Sequence, residues 1–223
     1  MPPLPSNRSG GSSRQQRDMA GGRTMRRIRY LVAMSLDGYI AGPNGEADWI
    51  IMDPEIDFDG LFAQFDTFLL GRRTFEPMAK SGGVGAPGTR TFVVSRTLHQ
   101  RDYPKVTILG EGWEKTVSEL REEAGKDIWL FGGGTLFRSL LDVGLVDSVE
   151  VGIIPVLLGG GVPLLPAPAT RATLELTSQK VYKTGIVGLE YAVKRTSPTA
   201  GARATTARRR STRKKPARTR DRR

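Results

Sequence analysis

Three consecutive glycines, Gly132, Gly133 and Gly134, stand where the apolar run IWLF meets TLFRSLL. A glycine inside a strand or helix costs roughly 0.5–1 kcal/mol against alanine, so a triplet at such a junction needs a reason. One reason is a tight turn. The other is an anion cradle, in which backbone N–H groups close on a phosphate while the following helix presents its positive end. Thr135 then caps that helix or donates a hydroxyl bond. Spacing excludes the two common nucleotide loops. G-x-G-x-x-G requires glycine where Phe137 stands, and no Gly-Lys-Ser/Thr follows.

Other stretches repeat the theme. LLGRRTFE ends an apolar run in Gly71, Arg72, Arg73 and Thr74, FVVSR ends one in Ser95 and Arg96, and IIPVLLGGG leads into a second glycine triplet. Isolated arginines are usually solvated surface groups. At strand ends beside glycines they are candidate clamps for a phosphate. The carboxylates with a chemical reading are Asp37 in SLDGYIAG, and Asp57 and Asp59 ahead of LFAQF. Each has a competing structural reading, as an Asp-Gly turn residue for Asp37 and as helix caps for the other two.

Composition narrows the chemistry. The 223 residues contain no cysteine and one histidine, His99, which removes thiolate metal sites, disulfides and most Ser-His-Asp arrangements. No apolar run approaches the roughly 20 residues of a membrane span, and the first residues lack the apolar core of a signal peptide. A soluble cytoplasmic protein is the expectation. The net charge of +11 invites a nucleic-acid reading. Its distribution argues against one for the fold: +3 in residues 1–24, −3 in 25–194 and +11 in 195–223. Basicity belongs to the ends.

These ends, at 1–24 and 196–223, are rich in Pro, Gly, Ser, Thr and Arg and poor in large apolar residues, so disorder is expected there. Met19 and Met25 are alternative starts on the same compositional ground. Between the ends lies one domain, 25–195.

Strand patterns cover 28–35, 67–71, 89–95, 106–110, 127–132 and 146–155, and a hairpin joins 173–183 to 186–195 through Thr184-Gly185. Helical patterns cover 54–65, 72–80, 113–125 and 135–144. Near-continuous apolar strands alternating with helices predict a mostly parallel α/β sheet buried on both faces, with an antiparallel C-terminal hairpin.

The set MSLDGYIAG, LLGRRTFE, VVSR, WLFGGGTLF and IIPVLLGGG, in that order, resembles the dihydrofolate reductase-like superfamily. It is closest to stand-alone relatives of the RibD C-terminal domain, the reductase of riboflavin biosynthesis. The resemblance covers about 25–195. It implies a three-layer α/β domain that binds NADPH along the carboxyl ends of the strands, and a homodimer. By resemblance, Gly71, Arg72 and Thr74 meet the cofactor phosphates, and Ser95 and Arg96 flank the 2′-phosphate. Gly132, Gly133, Gly134, Thr135 and Leu136 form the pyrophosphate turn, where the family has an unusual Gly-Gly peptide. Asp37 falls on the substrate side, and Asp57 and Asp59 lie near where folate reductases place their carboxylate.

Two departures separate the chain from the named activities. Phe131 stands where riboflavin reductases carry a glutamate before the glycines, and Asp48-Trp49 only distantly echoes the folate-reductase Pro-Trp loop. The expected substrate is therefore a small heterocyclic carbonyl or imine, pterin-like or ribityl-pyrimidine-like. The alternatives are a non-catalytic nucleotide-binding module and a nucleic-acid-associated protein acting through the tail, which by charge binds polyanions weakly. Trp49, Trp113 and Trp129 read as core or pocket wall, and His99 as surface.

Overall fold

The computed structural model describes residues 25–83 and 88–194. The extensions expected to be disordered, and the question of the start, lie outside those residues. Six runs pair in parallel: β1 (Ile28–Ser35), β3 (Phe65–Gly71), β4 (Arg90–Val94), β5 (Thr107–Leu109), β6 (Asp127–Gly132) and β7 (Ser148–Ile154). The hairpin of β9 (Thr173–Val181) and β10 (Val187–Lys194) adds antiparallel strands beyond β7, giving the order β5-β4-β3-β6-β1-β7-β10-β9. The mostly parallel sheet with an antiparallel C-terminal pair is the architecture expected from the pattern.

Burial on both faces explains the unbroken apolar strands. In β6, Ile128 and Leu130 point into a core shared with α3 (Trp113–Glu122) and α4 (Gly134–Asp142). Trp129 and Phe131 point the other way, toward Phe62 and Phe68. That second face is covered by α1 (Phe58–Phe62) and α2 (Arg72–Lys80), whose Phe75 packs with Leu70, Val93 and Val106. Three layers result.

The helix expected over 54–65 is shorter than its pattern. A turn at 53–56, closed by Ile56 N–H to the Asp53 carbonyl, precedes it, and Asp57 caps the helix by accepting from Gly60 N–H at 2.8 Å. At its other end Phe65 joins β3, because its ring packs under Trp129 and the Arg29 guanidinium. The short pair β2 (Tyr39–Ala41) and β8 (Val162–Pro163) went unpredicted, since three and two residues carry no readable alternation.

Ion pairs stitch the amino ends of the strands. Arg29 donates from Nε and Nη2 to Glu150 at 2.7 and 2.6 Å, and both side chains are buried. Arg121 on α3 binds Asp147 at 2.6 and 2.8 Å. Arg26 binds Asp66, the Thr67 hydroxyl and the Lys126 carbonyl. The opposite edge carries glycines, arginines and helix N-termini instead.

Candidate nucleotide-binding cleft

Register brings the motif residues together. Gly71 lies beside Val94 and Leu70 beside Gly132, so the chain leaves β3, β4 and β6 at adjacent points. From β3 the chain turns straight into α2 and from β6 into α4. Gly71 and Gly133 are the N-caps, neither helix has a side-chain cap, and neither has an acidic residue in its first turn. Thr135 lies inside α4 and does not cap it, because the helix begins at Gly134. Two positive helix ends therefore open at adjacent strand ends, next to the Ser95–Arg96 end of β4.

The glycines answer two different demands. Gly132 has φ of 156°, and a Cβ there would stand 3.2 Å from the Thr74 hydroxyl oxygen. Gly134 is a matter of close approach: its Cβ would stand 2.5 Å from the Pro163 carbonyl oxygen and 3.0 Å from that of Leu164. The Gly132–Gly133 peptide is cis. Gly71 touches the same turn, with the Gly132 oxygen 3.8 Å from its Cβ position.

Arg72 and Arg96 are exposed at the ends of β3 and β4. Arg72 has only a long pair with Glu76, at 3.9 Å, one helical turn on. Arg96 makes no ion pair among the described residues. Ser95 is buried, and its hydroxyl accepts from Thr97 N–H at 3.2 Å and Leu98 N–H at 3.1 Å, which fixes the turn that presents Arg96.

The three carboxylates separate. Asp37 lies exposed in the turn after β1. Its Oδ1 accepts from the Ser35 hydroxyl at 2.6 Å and from Leu158 N–H at 3.1 Å, and Oδ2 accepts from Gly159 N–H at 2.7 Å. The Ser35 bond, helped by the two amides, holds this carboxyl below the usual carboxylate range. Asp57 caps α1, while Asp59 sits in the first turn of α1.

The sheet face leading to the glycine turn is aromatic. Trp129 is buried, its ring centre 5.2 Å from those of Phe62 and Phe131, and its Nε1 donates to the Leu31 carbonyl at 3.0 Å. Trp113 packs against the core and Trp49 is half-buried. His99 is exposed. Sequence reasoning missed Asp53, a buried carboxylate that accepts from Glu55 N–H and from both Thr184 N–H and its hydroxyl. Asp-Pro at 53–54 marks a turn but not its distant partner. Among the described residues no group of three or more His, Cys, Asp or Glu could hold a metal ion, and no helix is long and apolar enough to cross a membrane.

Residues 26–188 match the RibD C-terminal domain. The chain belongs to that family. Among curated relatives, the uncharacterized protein YyaP of Bacillus subtilis (strain 168) is 35% identical over 178 residues, covering 74% of this chain and 94% of YyaP. A Shewanella sp. PV-4 protein named for riboflavin biosynthesis superposes with a TM-score of 0.64 at 27% identity, covering 76% of this chain and 99% of the other. Dihydrofolate reductase from Enterococcus faecalis, complexed with NADP(H), gives a TM-score of 0.56 at 19% identity over 76% of this chain and 97% of the reductase. The RibD C-terminal domain here thus has a dihydrofolate reductase-like fold, and its family supports a reductase-type role.

Proposed function

We propose that this RibD C-terminal domain is an NADPH-dependent reductase of a small heterocyclic carbonyl or imine. One observation carries the reading: the uncapped N-termini of α2 and α4 open at neighbouring strand ends, flanked by Arg72 and Arg96. Phosphates in this cradle would meet the first-turn amides of both helices and two exposed guanidinium groups. The turn suits such a group: Gly132 and Gly133 are packed against Thr74, with Cβ positions 3.2 and 3.4 Å from its hydroxyl oxygen, so side chains there would crowd the turn that would receive the phosphates.

A bound nicotinamide would supply the hydride. The chain's part is to bind and orient. Arg96, held out by the Ser95 turn, would pair with the 2′-phosphate, and Arg72 with the other phosphates. The aromatic cluster around Trp129 and Phe131 would keep water out of the sheet beside the glycine turn. By resemblance, Asp57 or Asp59 at the head of α1 would supply a carboxylate on the substrate side.

One observation favours a second reading, a nucleotide-binding module without turnover. Asp37 and Asp57 already accept hydrogen bonds from the chain, and Phe131 occupies the family's acid position. A melting series with NADPH tests binding. Ligand at about 100 times its Kd raises stability by about 2.7 kcal/mol, a clear upward shift in Tm. Oxidation of NADPH against a panel of pteridines, pyrimidines and other cyclic imines then separates enzyme from module.

A further inference from the structure

Loop 155–161, which carries the second glycine triplet, touches the Asp37 turn at one end and leads to the cofactor turn at the other. Leu36 N–H donates to the Val156 carbonyl at 2.9 Å, and the Asp37 carboxylate holds Leu158 N–H and Gly159 N–H. Gly161 packs so closely on the Ala41 carbonyl that a Cβ would clash with it. β8 follows at once and pairs with β2, placing Tyr39 beside Pro163, and Leu164 N–H donates to the Gly38 carbonyl at 2.9 Å. The carbonyls of Pro163 and Leu164 then lie against Gly134, the first residue of α4. Asp37 thus stands at the head of a contiguous set of bonds and contacts ending at the cofactor turn.

We propose that Asp37 is a positioning residue for nucleotide binding, acting through loop 155–161 and β8 on Gly134, and not the proton donor of the reaction. Both its oxygens are engaged by N–H or O–H donors. A carboxylate so held is a poor proton source near neutral pH and a good anchor for two amides. The glycines of the loop let its backbone come close enough to be held. The role in binding rests on the nucleotide reading above; the anchoring of the loop does not.

The test compares wild type with Asp37→Asn, which keeps the size and places an N–H donor against a backbone N–H. Amide hydrogen exchange and NADPH affinity are both measured. Exchange at Leu158 and Gly159 should rise roughly tenfold or more in the variant, and exchange at Leu164, whose N–H is held by the Gly38 carbonyl, should rise with it. NADPH affinity should fall about fivefold or more, the loss of a charge-assisted bond partly absorbed by the loop. In unliganded wild type, the Leu158 and Gly159 amide shifts should titrate together with Asp37 as pH falls through its depressed value. In the variant those two amides should lose that shared titration. Unchanged exchange overturns the proposal, and so does raised exchange with unchanged affinity. If wild type binds no NADPH, the nucleotide reading and the role in binding both fail, and exchange alone decides whether Asp37 anchors the loop. If the variant does not fold, the wild-type amide titration decides, and amides that ignore the ionisation of Asp37 overturn it.

Discussion

The backbone carbonyl of Pro163 lies 2.5 Å from the point where a Cβ on Gly134 would stand. Backbone cannot swing aside like a side chain, so the contact dictates glycine at the start of α4. Gly134→Ala should therefore cost on the order of 1–3 kcal/mol, the usual range for overpacking. Gly133 differs: its Cβ would meet only the Thr74 hydroxyl, at 3.4 Å. Gly133→Val should stay folded and lose NADPH binding. Melting and nucleotide titration of the two variants side by side separate packing from cradle.

The buried Arg29–Glu150 pair gives a second expectation. Glu150→Ala leaves a buried guanidinium without its bidentate partner, and breaking such a pair typically costs about 3–5 kcal/mol. Replacing both residues with apolar ones of similar size should be far milder. Urea denaturation of the single and double variants measures the difference. The cofactor cleft lies at the opposite ends of the strands, so NADPH affinity should survive wherever the variant folds.

How much of this was legible in the sequence depended on distance along the chain. β6 at 127–132 and α2 at 72–80 were readable to the residue, because strand and helix patterns there meet at a glycine. The cleft was readable as a set of strand ends, since glycine and arginine after an apolar run is a local signal. The reason for Gly134 was not, because its constraint comes from Pro163 and Leu164, about 30 residues away along the chain. Asp37 was readable as an Asp-Gly turn residue, but its bonds to Leu158 and Gly159 span more than 120 positions. Nor could the pattern at 54–65 show that Asp53 and Asp57 cut the helix short.

Asp53 carries a pH expectation. Glu55 N–H, with help from the Thr184 amide and hydroxyl, holds its carboxyl below the usual carboxylate range. A depressed folded value means that the ionised form favours the native state. That stability is present above the ordinary carboxylate value and is lost as pH falls toward and through the depressed one. Asp53→Asn should flatten this part of the acid limb when Tm is followed against pH. An acid limb identical to wild type would mean that the hairpin turn at Thr184 does not depend on this charge.

The central claim is that the cleft at the ends of β3, β4 and β6 holds NADPH, with Arg96 reading its 2′-phosphate. Equilibrium titration of wild type and Arg96→Ala with NADPH and NADH tests it most directly. A guanidinium–phosphate pair contributes about 1.5–3 kcal/mol, so wild type should prefer NADPH by roughly tenfold or more. Arg96→Ala should erase most of that preference by weakening NADPH while leaving NADH nearly unchanged. Equal affinity of wild type for the two nucleotides, or no binding of either, would contradict the account.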